Sequence, residues 1–479
     1  MQQVRGKDRR FLEAPGQLLP AARAALLWIA LVTGVVGVVF GQAGENSGRP
    51  LDGAATQVAV RGWAPNRIVT SGAVTHEQPM EGWFTTSAGA AHATLEVLLS
   101  TEDADWADAA RPSVVLTLGV DGQPSGDLVV TGRERPFREL IGPIGEGRHR
   151  WTLRWHKTAS PQPRGKVTVR EVRITPDRSG LAAHAPRIFG RLAADKQRAV
   201  MATSDVPLLL LGRATGEDFE YTAVFSNEDG GTGLLPSLLM RQYGRTSDIE
   251  RVCRVQGSRC EFQGANHKTR EYGGSLEGAH PLLRVATDNN NFTDAIGDAS
   301  RGLRFSLAPQ PFPEQGPRGR VLDREGWISA IANAEMQREV TELMGFIGKR
   351  KIESPGDAAT LALSDLRNYI GIEAHVDAAK EVAWRVGARA AGQWYWSDHG
   401  VARERERGSG WPRTGVELPP RAVADAVCVE CCGEGTTLTV TEFRAWAFDA
   451  AAMPRPDGTR MREAVAVRSG TPFIRVFKP

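Results

Sequence analysis

The sequence has none of the short motifs that announce a reaction. GxSxG, HExxH, the P-loop, GxGxxG and paired CxxC zinc motifs are all missing, which removes the usual warrants for serine acyl transfer through a nucleophile elbow, for metalloprotease action and for nucleotide binding. Net charge is nearly missing too. Lys+Arg 59 against Asp+Glu 56 leaves +3, so no global field points to nucleic acid as a partner. No internal repeat of the roughly 20- to 50-residue kind is found. Cysteine is scarce and odd in number, at five, so complete pairing would leave a thiol over.

What the chain does have is length. Its 479 residues exceed one core, since single cores stop growing at roughly 250 to 300 residues, and two or three domains are expected. The N-terminus carries the clearest physical signal. Arg5, Lys7, Arg9, Arg10 and Arg23, in the basic tail of residues 1–23, precede the uncharged run ALLWIALVTGVVGVVF within residues 24–43. That run exceeds the roughly 7 to 15 residues of a signal-peptide core and approaches the roughly 20 that span a bilayer. Two outcomes fit it. Gly41 and Ala43 offer small residues for cleavage after Ala43, or the run stays as a single-pass membrane anchor with its Arg-rich tail in the cytoplasm. Either places the remainder in the cell envelope or outside the cell.

Such an address permits disulfides. Cys253 and Cys260 bracket a short basic loop (CRVQGSRC), the spacing of a disulfide staple across a hairpin. Cys428, Cys431 and Cys432 cluster in CVECC; a zinc site there lacks a second ligand pair.

After a Gly-rich linker at residues 44–56, residues 57–176 alternate in the two-residue period of strands: ATLEVLLS, SVVLTLGV, GDLVVTG, HRWTLRWHK and GKVTVREVRI. Short strands at regular spacing with no helix between them indicate an antiparallel β-sandwich. Its tryptophans, Trp63, Trp83, Trp106, Trp151 and Trp155, either pack the core or form a sugar-stacking face. A linker at 177–190 leads into a second β-rich domain, 191–479, with strands at 206–212 and 219–226 and later in EVAWRVGARA, TTLTVTEFRAWAFD and FIRVFKP. One helix is expected at residues 323–346, presenting Trp327, Ile331, Ala334, Val340, Leu343 and Met344 on a broad apolar face. The fold class is therefore mainly β, two antiparallel sandwich-like domains with one notable helix and the hydrophobic N-terminal helix.

Within the second domain, residues 221–298 concentrate polar side chains. Asn227, Glu228 and Asp229 follow a strand and precede Gly230 and Gly231, which delivers oxygen-bearing side chains to a sheet rim where a ligand can approach. Arg245, Asp248 and Glu250 lie in RTSDIE, His267 in NHK and His280 in AHP, and Asp288, Asn289, Asn290 and Asp294 in DNNNFTD. Three uses compete. Asp288, Asn289, Asn290 and Asp294 are the oxygen ligands that Ca²⁺ takes, though not at EF-hand spacing. Glu228 with Asp248, or Asp229 with Glu250, could act as the paired carboxylates of a glycosidase. His267 and His280 could join a carboxylate around a transition metal at no recognised spacing. Against all three stands the reading of each cluster as an ordinary turn. Outside this stretch, GQWYWSDHG sets Trp394 and Trp396 beside Asp398 and His399, an aromatic platform with a polar tip or simply a strand and turn.

At FSNEDGGTG, GRTSDIE and HPLLRVATDNN, with HAPRIFGR and DVPLLL leading in, the chain resembles a group of exported bacterial proteins of no assigned activity. The resemblance implies export and transfers no catalytic residue. The leading expectation is an envelope protein that binds a carbohydrate or glycoconjugate with Ca²⁺ as a cofactor; the alternatives are a secreted glycan hydrolase and a purely structural surface protein. The polar stretch is a site only if its clusters converge in space.

Overall fold

A computed structural model describes residues 66–478, apart from 69–71, 88, 90, 109, 112, 161–164, 192–204, 228–235, 298–301, 314–315, 348–364 and 456–457. The expected N-terminal tail, the hydrophobic helix of residues 24–43, Trp63, Glu228 and Asp229 lie outside the described residues. Among the described residues no helix is long and apolar enough to cross a membrane.

The protein is mainly β. Its first sandwich packs a sheet containing His92–Ser100, Arg135–Ile141 and Lys166–Asp177 against one containing Met80–Thr86, Val114–Val120, Gln123–Val130 and Gly147–Trp155. The alternation expected from the sequence is observed: in Gly147–Trp155 every second residue is buried, and Leu95, Val97, Leu99, Trp151, Leu153 and Trp155 meet in one apolar cluster. Trp151 and Trp155 are core residues. The indole of Trp151 lies so close over Gly82 that a Cβ there would stand 2.8 Å from the ring. Trp106 is also buried, whereas Trp83 is 48% exposed with Arg148 over its ring.

The stretch expected to form a linker and a second domain holds two further sheet pairs with separate apolar clusters, and the strand Arg187–Phe189 falls inside the expected linker. The C-terminal pair, between Tyr369 and Val476, encloses Ile372, Trp384, Val427 and Phe443. The middle pair carries the polar stretch. One of its sheets runs Lys268–Glu271, Arg259–Gly264, Asp248–Gln256, Asp218–Phe225, Pro207–Thr215, Pro309–Pro311; the other contains Arg187–Phe189 and His280–Val285. Two tight hairpins set its register. Thr215 pairs with Asp218 and Gln256 with Arg259, and Gly216 and Gly257 supply the positive φ (64° and 55°) that two-residue turns require. Both turns lie at one end of the sheet. The opposite end is consequently a rim at which Pro207, Phe225 and Asp248 come into register.

The expected helix is present but broken, and the side chains of Val340, Leu343 and Met344 lie outside the described residues. Val321–Arg324 ends at Glu325, and a second helix runs Trp327–Ile347. Among the described side chains its buried positions are Ile328, Ser329, Ile331, Ala332 and Met336, together with the charged Glu335 and Arg338, while Trp327 and Ala334 are half-buried against the same apolar cluster as Ile331. The helix docks through an ion pair as well as through apolar contact.

Candidate functional site

Three of the four polar clusters converge at this rim. Asp205 precedes the strand Pro207–Thr215, Asn227 follows Asp218–Phe225, and Asp248 opens Asp248–Gln256. Register alone brings the three chain segments together. Asn290, in the loop after His280–Val285, reaches in from the neighbouring sheet. Its Nδ2 stands 3.1 Å from Asp205 Oδ1, 3.1 Å from the Asn227 carbonyl and 2.9 Å from Asp248 Oδ2. All four residues are buried. A carboxamide nitrogen has two protons, so three acceptors crowd one donor and tie three strand ends to one side chain. The apolar floor is Phe225 against Phe292, rings 6.1 Å apart.

Above this clasp lies a second, more open layer. Glu250 and Gln263 face each other on neighbouring strands, and Gln263 Nε2 donates to Glu250 Oε2 and lies 3.1 Å from His267 Nδ1. His267 Nε2 is 2.8 Å from the side-chain amide of Asn289, and His267 Nδ1 is 3.5 Å from Glu250 Oε2. One proton assignment satisfies the chain. The Gln263 amide donates to both Glu250 and His267 Nδ1, so the imidazole carries its proton on Nε2 and gives it to Asn289, an amide free to present its oxygen. Asn291 fixes the loop: its Oδ1 accepts from His267 N at 3.3 Å and its Nδ2 donates to Asn289 O at 2.9 Å. The run of asparagines thus has three duties: clasp, rim and turn.

Exposure separates floor from rim. The Glu250 side chain is 11% exposed and that of His267 46%. Backbone conformation marks the same place. Asp205, Asn266, His267 and Asn290 all have φ between 47° and 58°, a left-handed region that non-glycine residues occupy at a cost and that clusters at functional sites.

Other expected site residues lie elsewhere. Asp288 pairs with Arg191, Asp294 accepts from Gly273 N at 2.8 Å, and Asn289 and Asn290 point to different partners. The calcium set read from DNNNFTD is therefore not assembled, and among the described residues no three His, Cys, Asp or Glu side chains gather as for a metal ion. His280 is apart from His267, in the seam with the first sandwich, where it meets His92. Arg245 lies over the Tyr243 ring. Trp394 and Trp396 sit on the C-terminal sheet pair, stacked at 5.6 Å with Arg385 3.8 Å from the Trp396 ring centre. Arg389 approaches the Trp394 ring at 5.7 Å, so much of the aromatic surface is engaged inside the protein. All five cysteines are thiols. The expected Cys253–Cys260 disulfide is not formed: Cys253 is opposite Phe262 and Cys260 opposite Val255, a diagonal relation across the hairpin in which the two side chains meet as hydrogen-bonded thiols. The cavity bounded by Pro136, Leu208, Leu307 and Trp327 has room for about one water and is a packing gap.

Sequence reasoning missed Asp205 and Gln263. Asp205 directly precedes VPLLLL, and an acidic residue at a strand entry was the available signal. Gln263 had none, because its meaning depends on which strand lies beside it.

No protein-family model matches the chain, and no curated protein does. Among solved structures, the C-terminal domain of EclA, a sugar-binding protein, covers 26% of this chain and 90% of its own at 11% identity and TM-score 0.18. A CBM36 carbohydrate-binding module in complex with calcium and xylotriose covers 24% of this chain and 100% of its own, at 12% identity and TM-score 0.18. The CBM22-1-CBM22-2 tandem domain of Paenibacillus barcinonensis Xyn10C covers 87% of this chain and 84% of its own, at 8% identity and TM-score 0.15. At these scores the likeness carries no argument about fold or ligand.

Proposed function

We propose that the protein binds a carbohydrate or glycoconjugate at the rim formed by Glu250, His267 and Asn289, and that it does so as an exported or membrane-anchored envelope protein. The address rests on the basic tail and apolar run of residues 1–43. The binding reading rests on one observation: an imidazole and a carboxamide stand together at an accessible edge with a largely buried carboxylate behind them, each held by a neighbour. Sugars present adjacent hydroxyls that donate and accept at once. A carboxylate accepts, an amide does both, and a neutral imidazole does both. Because Gln263, Asn291 and the clasp beneath already fix these groups, little ordering entropy is lost on binding.

Screening the purified protein against immobilised glycans tests this. Asn289→Ala and His267→Ala, both at accessible positions, are expected to weaken binding about 3- to 10-fold each, and Glu250→Gln about 10- to 100-fold, in line with neutral and charged hydrogen bonds. Thermal midpoints of the two alanine variants should stay near wild type. A chelator should leave binding unchanged, since Asp288 and Asp294 are engaged elsewhere. Undiminished binding by all three variants would refute the site, and the appearance of new reducing ends would replace binding by hydrolysis.

A further inference from the structure

Two buried histidines that the rim does not use meet across a seam. His92 opens the strand His92–Ser100 of the first sandwich, and His280 opens His280–Val285 of the middle sheets. Their Nε2 atoms are 3.0 Å apart and their rings cross at 85°, centres 5.0 Å apart. Both are buried. The Ala185 carbonyl, 2.8 Å from His280 Nδ1, has only acceptor character, so His280 carries its proton on Nδ1 and leaves Nε2 as an acceptor. His92 must then donate from Nε2. One proton occupies the axis between the rings.

We propose that this pair is an acid-released catch that holds the strand His280–Val285 to the first sandwich while both rings are neutral. An added proton has two places to go. On His280 Nε2 it sets two N–H groups against each other at hydrogen-bond distance; on His92 Nδ1 it creates a buried imidazolium. The surroundings offer little compensation. From Arg187–Phe189, the guanidinium of Arg187 faces the pair and is itself held by the carbonyls of Leu140, at 3.2 Å, and Gly142. Asp177, the register partner of His92, lies within 3.4 Å of the Thr94 hydroxyl. His184 stacks on Phe219. Glu277, 4.0 Å from Arg187, is taken by Arg304 at 2.6 Å. Burial and the Arg187 charge lower both histidines, His280 to about 3.

The sign follows. A histidine released to water titrates near 6.5, while the caught pair stays neutral, so the catch is intact above pH 6.5 and weakens as pH falls from there toward 3. Each histidine that takes up a proton on release shifts the opening equilibrium up to about tenfold per pH unit.

Hydrogen exchange of the full chain, corrected for intrinsic rates, tests the catch. Between pH 7 and pH 5 the opening constant of amides in His280–Val285 should rise at least about tenfold, while amides in Asp248–Gln256 should change by less than about threefold. The double variant His92→Gln/His280→Gln should abolish the rise. If it does not fold, His92→Gln alone should cut the rise to the contribution of one proton. Equal pH dependence in the two strands of the wild-type protein, or a rise that persists in the variants, would overturn the proposal.

Discussion

Asn290→Gly should lower the stability of the protein by about 3 kcal/mol, a large loss for one loop residue. The substitution keeps the backbone, because φ at Asn290 is 47° and glycine adopts that conformation freely. It removes only the carboxamide. Asp205 Oδ1, Asp248 Oδ2 and the Asn227 carbonyl then lose a shared buried donor, and each such loss costs roughly 1 to 3 kcal/mol, moderated where another donor remains. Asn290→Asp should be worse at neutral pH, since it sets a third carboxylate among two, and should improve on acidification as one of the three takes up a proton. Urea unfolding midpoints measure both. A shift below about 0.5 kcal/mol in Asn290→Gly would mean that the clasp does not hold the rim.

The second large effect lies on the helix behind the rim. Glu335 is buried and accepts from Asp205 N at 2.8 Å, Trp106 Nε1 at 3.1 Å and Arg338 Nη2 at 2.8 Å. Arg338 is buried in turn, its guanidinium 4.6 Å from the centre of the Trp106 ring, with Nε and Nη1 making no hydrogen bond among the described residues. One carboxylate therefore joins the helix, the first sandwich and the entry to the rim. Glu335→Leu leaves a buried guanidinium without its counter-charge and should cost about 3 to 5 kcal/mol. Adding Arg338→Met removes the stranded charge and should recover a large part of that loss. If the double variant is no more stable than Glu335→Leu alone, the cost lies in the bonds to Trp106 and Asp205, and the ion pair is not what docks the helix.

How far all this was legible in the sequence depended on the kind of interaction. Alternation showed strands whatever the distance to their partners, as in Gly147–Trp155, which pairs with Met80–Thr86 and Val114–Val120, and the two glycine hairpins of the middle sheet lie between clear apolar runs. The break at Glu325 and the burial of Glu335 and Arg338 on the following helix did not show, because buried charge contradicts hydrophobic periodicity and is stabilised by partners distant in sequence such as Trp106 and Asp205. The segment RGSGWPRTGVELPPR reads as turns but contains Arg413–Glu417, buried along its length, for the same reason. At the site, residue types were legible and partnerships were not. DNNN looked like a ligand set, whereas Asp288 is drawn to Arg191 and the three asparagines to three different tasks. Cys253 and Cys260 have the spacing of a staple and do meet across the hairpin, as thiols on diagonal positions.

The measurement that bears most directly on the central claim is a saccharide titration followed through the imidazole carbon-bound protons of the nine histidines, using a glycan retained in the binding screen. His267 stands at the rim and His280 in the distant seam, so His267 should shift with saturation at the same concentration as binding, while His280 and His92 stay fixed. Binding that leaves His267 unmoved, or that moves the indole signals of Trp394 and Trp396 in its place, would contradict the account and transfer the site to the C-terminal sheets.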